Sequence, residues 1–211
     1  MAHTILVPRG PEAAAVRRAG TGARIVELPA GSAAAAALPE FAQDETVVVM
    51  GLCGGLWRMK AGEVCVYGRV VDAAHAFELN PEVVDALSRM LPRAMVVNAC
   101  TTKQIVTSVT ARTLLAQRFN AEVVDMEGTY LAAALTARRV PFGMVRVVSD
   151  DASRDLPPMD DAISDDGRIQ PLPIALAFAR APRAAFGFVR DVRAALGVLT
   201  ACARALSRVS A

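Results

Sequence analysis

The chain has 211 residues, 54% of them apolar, enough to bury one substantial core in a single domain spanning residues 1–211. With 23 basic and 21 acidic residues its net charge is +2, which excludes nucleic acid as a partner selected by charge. The first residues lack the basic segment and apolar run of an export signal, and no run is long enough to span a bilayer, so a cytoplasmic location is expected. Four scattered cysteines (Cys53, Cys65, Cys100, Cys202) and two histidines give no metal-ligand spacing, and neither metal nor cofactor is expected.

Apolar runs rich in β-branched residues predict strands at His3–Val7, Arg24–Leu28, Thr46–Gly51, Glu63–Val71, Met95–Cys100, Glu122–Met126 and Phe142–Ser149. Helical patterns fall between them at Pro11–Ala19, Pro81–Leu91, Lys103–Arg118 and Glu127–Arg139, with Asn80-Pro81 a good helix start. Ala33–Ala37 also reads as helix. The alternation predicts an α/β fold of three layers, a mostly parallel or mixed central sheet flanked by helices. The Glu63–Val71 run has no helix before it and is expected either to join antiparallel or to belong to a barrel-like sheet.

Beyond Asp150 the chain turns acidic and proline-rich, with Asp151, Asp155, Asp160, Asp161, Asp165 and Asp166 among Pro157, Pro158, Pro171 and Pro173. This is a surface loop, either a flap over a site or a connector. From about Ile174 the chain is helical, broken near Pro182. Val189, Val192, Leu196, Leu199, Ala203 and Leu206 recur at helical steps among Arg190, Arg193, Arg204 and Arg208. Such a helix packs on the sheet; the sharper alternative is peripheral contact with a membrane or an oligomer interface.

Two carboxylates stand at strand ends, where open α/β sheets build ligand sites: Glu127 in Val124-Asp125-Met126-Glu127-Gly128, and Asp150 in Arg146-Val147-Val148-Ser149-Asp150. Each has a plain structural reading, a helix-dipole glutamate and a turn aspartate. The run Gly51-Leu52-Cys53-Gly54-Gly55-Leu56 after a strand reads as a glycine-rich turn that lets backbone approach a ligand. In the first strand-to-helix turn, Arg9, Gly10 and the helix-start amides could hold an anion, and Glu12 could activate water or bind a hydroxyl. Neither G-x-G-x-x-G, a Walker motif nor G-x-S-x-G occurs.

Met126-Glu127-Gly128 followed by Arg146-x-x-Ser149-Asp150, with the glycine run and Glu12-Ala13 ahead of them, resembles the nucleoside phosphorylase and nucleosidase family from end to end. The resemblance implies a nucleoside phosphorylase-like fold and cleavage of the N-glycosidic bond of a purine nucleoside of the adenosine type, releasing free base. It implies Asp150 as the acid at the purine, Glu127 with Met126 at the ribose, and Glu12 as the water-activating glutamate of the nucleosidase branch. The stretch Gly51, Cys53 and Gly54 would lie beside ribose and nucleophile, Thr101 and Thr102 near the base, with Asp125 and Ser149 beside their motif partners. Asn120–Glu127 and the Pro141-Phe142…Leu156-Pro157 pattern look most like the hopanoid-associated group, which acts on an adenosyl-bearing triterpenoid.

Two departures bear on the nucleophile. Val49 and Leu52 stand where phosphorylases tend to carry an arginine and a Ser or Thr, and Arg9-Gly10-Pro11 replaces the phosphate-binding Gly-Asp-Pro loop. Phosphate and water therefore both stay open, as does a non-catalytic nucleoside-binding module of the same fold. Family members are usually oligomeric, so a homo-oligomer is expected.

Overall fold

The computed structural model describes residues 3–43, 45–159, 164 and 170–207. Asp160, Asp161, Asp165, Asp166 and Arg208 lie outside the described residues. Eight strands form: β1 (His3–Pro8), β2 (Arg24–Leu28), β3 (Thr46–Gly55), β4 (Val64–Val71), β5 (Ala76–Glu78), β6 (Met95–Thr101), β7 (Val123–Asp125) and β8 (Phe142–Asp150). The helices are α1 (Pro11–Arg18), α2 (Ala33–Ala36), α3 (Pro81–Met90), α4 (Val109–Phe119), α5 (Gly128–Ala137), α6 (Pro171–Arg180) and α7 (Pro182–Ser207). Of the strands, only β5 was not expected; it is three residues long and half exposed, too short for a periodic signal.

The sheet is mixed. β2, β1, β3 and β8 are mutually parallel neighbours, and β4 runs antiparallel to β8 and parallel to β6. β6 pairs parallel with β7, and β7 pairs antiparallel with the far end of β3 at Gly54 and Gly55. The pairings β3–β8–β4–β6–β7–β3 thus close into a five-stranded ring, so the Glu63–Val71 run meets both expectations: it joins β8 antiparallel and belongs to a barrel-like sheet. Tyr67 from β4, Asp125 from β7 and Arg146 from β8 meet in its buried interior.

Two sequence expectations shift. Gly51–Gly55 is not a turn but the second half of β3, because β8 on one side and β7 on the other supply ladder partners along it. The helix expected from Lys103 begins only at Val109, where Ser108 accepts a hydrogen bond from the Ala111 amide and caps it. Residues 103–108 are left as a loop beside the strand ends. The other helices start and stop within three residues of expectation over the described residues, Asn80 capping α3 through the Glu82 amide.

Helix α7 packs across β8, β3 and α1, and α3 touches α7, β4, β6 and β8, making one helical layer. Helix α5, with α2 beside it, covers β4, β5 and β6. The core between them is dominated by valine from β1, β3, β4 and β8, with Ile5, Leu6, Met50 and Met144. Among the described residues no helix is long and apolar enough to cross a membrane.

Candidate active site

A cavity of about 680 Å³ opens at the carboxyl ends of β1, β3, β7 and β8. Its walls include Arg9, Gly10, Glu12, Leu52, Cys53, Gly54, Thr102, Arg112, Asp125, Met126, Glu127, Ser149 and Asp150. Ile105, Val106, Leu156 and Phe188 make an apolar side. The sequence candidates Gly51 and Thr101 lie behind this wall. A Cβ on Gly51 would sit 2.2 Å from Arg146 Nη1, so glycine there is what lets the guanidinium lie against β3. Thr101 accepts from the Thr129 amide and donates to Asp125 Oδ1 at 2.8 Å, fixing that carboxylate from below.

Arg146, fully buried, is the centre of the polar floor. Its Nη2 lies 3.5 Å from Asp125 and 3.4 Å from Glu127. Burial works to lower its pKa, but Asp125 and Glu127 outweigh burial and hold the guanidinium more firmly protonated. Its Nε and Nη1 have no hydrogen-bond partner. Such unsatisfied buried donors are costly, and these lie behind the cavity wall, against Gly51.

Glu127 begins α5 without capping it. Its Oε1 instead accepts from the Gly31 amide at 2.9 Å and Oε2 from Arg146. Burial raises its pKa and Arg146 opposes the rise. A carboxylate has about four lone-pair sites, so two protein donors leave room for a diol. Glu12, on the first turn of α1, accepts from the Leu52 amide at 2.7 Å. Burial and then the neighbouring Glu127 push its carboxyl up to about 7. That value suits a group that must both take and release a proton near neutrality.

The opposite wall is organised by Asp150. The ladder between β3 and β8 pairs Cys53 with Val148 and Gly54 with Asp150, leaving Ser149 as an extra residue. This bulge turns the end of β8 and aims Asp150 into the cavity. Ser149 donates to the Cys53 carbonyl at 3.1 Å and is also hydrogen-bonded to Asp150 Oδ1. Arg112 from α4 meets Asp150 Oδ2 at 2.5 Å. It also donates to the carbonyls of Val106, Gly55 and Asp151. Met126 lies on the wall between the two carboxylates.

The anion candidates are poorly furnished. Arg9 and Gly10 line the mouth and are exposed, but the Arg9 amide is spent on the Leu28 carbonyl and Pro11 has no amide to give. Cys53 is no nucleophile at neutral pH, since burial pushes its thiol well up. No group of three or more His, Cys, Asp or Glu fit to hold a metal occurs among the described residues.

The profile of the phosphorylase superfamily matches residues 16–169, most of the chain. The chain belongs to that superfamily. Solved structures with the same fold include the 5′-methylthioadenosine/S-adenosylhomocysteine nucleosidases of Campylobacter jejuni (TM-score 0.70, 14% identity, 99% of each chain covered). The Neisseria meningitidis nucleosidase, in complex with methylthio-immucillin-A, gives 0.72 at 15% identity, covering 99% of this chain and 100% of that one. Futalosine hydrolase of Helicobacter pylori gives 0.74 at 13% identity, covering 99% and 98%. No curated protein matches the chain by sequence.

Within this superfamily member, sequence reasoning missed the two arginines that organise the floor. Arg146 was visible inside Arg-x-x-Ser-Asp but carried no assigned role. Arg112 gave no signal, because an arginine in a helix reads as solvent-facing. The available clue was its place in a weakly patterned helix, one turn beyond a Ser cap, directly after the loop that follows a strand end.

Proposed function

We propose that the protein hydrolyses the N-glycosidic bond of an adenosine-type purine nucleoside, with water as nucleophile. The observation that carries this reading is Glu12, held by the Leu52 amide with its carboxyl near 7 beside the half-bonded Arg146. Glu12 takes a proton from water, and the water oxygen attacks the anomeric carbon as the bond from that carbon to the ring nitrogen breaks. Arg146, behind the wall, supplies positive charge beside Glu12 and Glu127. Glu127 accepts from the ribose hydroxyls and stabilises the positive charge growing on the sugar. The bonding electrons leave with the base, and Asp150, entering as the acid, passes its proton to a ring nitrogen. Arg112 holds the carboxylate that this transfer leaves on Asp150. Met126 packs against the sugar.

Phosphate is the less supported nucleophile. A doubly charged oxyanion needs several strong donors. Val49 is buried and Leu52 apolar, while the Arg9 amide is already used. The apolar side formed by Ile105, Val106, Leu156 and Phe188 supports a narrower reading, in which the nucleoside carries an apolar group beyond the ribose, as in the hopanoid-associated group.

Incubation with adenosine and with an alkyl-extended adenosine, in phosphate-free buffer and in phosphate, tests both readings. Free base and free ribose without phosphate are expected, with faster turnover of the extended substrate. Strict phosphate dependence with the phosphate recovered on the anomeric carbon would overturn the water route. Tight nucleoside binding with no base release in either buffer would leave a binding module.

A further inference from the structure

We infer that the exposed face shared by α6 and α7 docks on an anionic lipid surface at the side of the cavity. Of the seven exposed large apolar side chains among the described residues, three stand on these two helices. Leu172 is 70%, Leu176 48% and Phe186 75% exposed, and all three lie on these two consecutive helices. Leu172, Leu176 and Arg180 are four residues apart and share one stripe of α6. Arg183, Phe186, Arg190 and Arg193 follow at steps of three and four along one stripe of α7. Each helix therefore mixes exposed apolar and exposed arginine side chains on the same face, whereas an ordinary surface helix keeps its apolar residues inward.

The charge on this face points to the partner. Residues 171–207 contain five arginines, all exposed, against a single acid, Asp191. That aspartate is already paired with Arg154 and Arg190. Arg180, Arg183, Arg193 and Arg204 have no carboxylate partner among the described residues. Arginine stems lie along apolar surface while their heads reach polar groups, which suits a headgroup layer above acyl chains. Neither helix is long and apolar enough to cross a membrane, so the contact lies in the plane of the surface.

The inward side of the same helices closes the site. Ala177, Ile174 and Phe178 of α6 and Phe188 of α7 pack with Leu156, Met159 and Ile105, and Leu156, Ile105 and Phe188 also line the cavity. A bilayer under the outer face would thus sit one helix away from the cavity's apolar wall. This docking does not depend on which nucleophile the site uses.

The test is co-sedimentation of the whole chain with vesicles of phosphatidylcholine alone and of phosphatidylcholine with phosphatidylglycerol. The expected result is binding to the anionic vesicles, little to the neutral ones, and release by high salt. Each arginine near an anionic surface contributes roughly fivefold in partitioning, so Arg180→Gln with Arg183→Gln should lower it about 25-fold. Leu172→Ser with Phe186→Ser should lower it at least about tenfold. Base release from a soluble nucleoside, which uses none of these four residues, should be unchanged, and circular dichroism should match the parent. The inference is overturned if the parent ignores anionic vesicles or if either pair of substitutions leaves partitioning intact. It is also overturned if the apolar pair changes the mass in solution while vesicle binding is absent, which would make the face an interface between two copies.

Discussion

Two arginines are buried beneath the cavity, and they are bonded in opposite ways. Arg112 is satisfied on every side, by Asp150 and by the carbonyls of Val106, Gly55 and Asp151. Arg146 holds two carboxylates at 3.4–3.5 Å through Nη2 alone and leaves Nε and Nη1 without partners. A fully bonded buried cation fixes a wall; a half-bonded one carries an uncompensated cost beneath the floor it supports. The contrast divides the site into a fully bonded wall at Asp150 and a less bonded one at Glu12 and Glu127, which the proposed hydrolysis assigns to the base and to the sugar.

The largest expected effect tests the less bonded wall. Glu12→Gln should lower kcat for base release by about 10²–10⁴-fold, measured by single-turnover release of adenine. The parent's kcat/KM should fall about tenfold per pH unit below about 7, where Glu12 takes up its proton, and this acid limb should vanish in the variant. A variant of full activity would overturn Glu12 as the base.

Next come the arginines themselves. Arg146→Met and Arg112→Met should each destabilise by about 3–5 kcal/mol in urea titrations, since either change strands buried carboxylate charge. Pairing them with a carboxylate change separates the two cases. Asp150→Asn should recover part of the loss caused by Arg112→Met. The same substitution should recover nothing from Arg146→Met, because Asp150 and Arg146 are not partners. Equal recovery in both backgrounds would dissolve the distinction drawn between the two walls.

Glu12 also links the site to stability. Its folded value near 7 lies above the ordinary 4.5, so the folded chain holds this proton more tightly than the unfolded one. Its contribution is therefore fully present below about pH 4.5 and is lost as pH rises through 7. Glu12→Gln should be more stable than the parent at pH 8 by about 1–3 kcal/mol, solvent screening at the cavity trimming the upper figure. The difference should close toward pH 4.5. An identical gap at both pH values would mean Glu12 is held ionised throughout.

The smallest effect concerns the diol. Glu127→Gln should cost ribosides more than 2′-deoxyribosides, by about 1 kcal/mol in kcat/KM, the worth of one further hydrogen bond. Equal losses would confine Glu127 to holding the Gly31 amide and Arg146.

Much of this division was legible beforehand, and the exceptions have physical causes. Glu127 and Asp150 could be placed because a continuous apolar run ending in a carboxylate marks the mouth of a parallel sheet. Their partners could not, because pairing across 19 or 38 residues leaves no trace in local periodicity. The glycine run misled for a different reason. Glycine lowers strand propensity, so Gly51–Gly55 reads as a turn. Only the close approach of Arg146 at Gly51 and of the Met59 carbonyl at Gly55 explains why small residues persist inside a strand. Arg9 and Gly10, expected to hold an anion, line the cavity mouth, and which of their amides is free depends on a bond to Leu28, a residue of the next strand.

The five-stranded ring has a consequence for how the chain is made. Four of its strands are complete by Asp125, yet β3 and β4 gain their shared neighbour only when residues 142–150 are available. Until then both carry unpaired edges built of valine, open to pairing with other chains. During synthesis the N-terminal two-thirds must wait on β8, and its arrival brings Arg146 and Asp150 to their partners in the same event. Ribosome-stalled chains ending before residue 142 should therefore be protease-sensitive and prone to aggregate, whereas chains with β8 fully outside the exit tunnel gain the polar floor and the ring together.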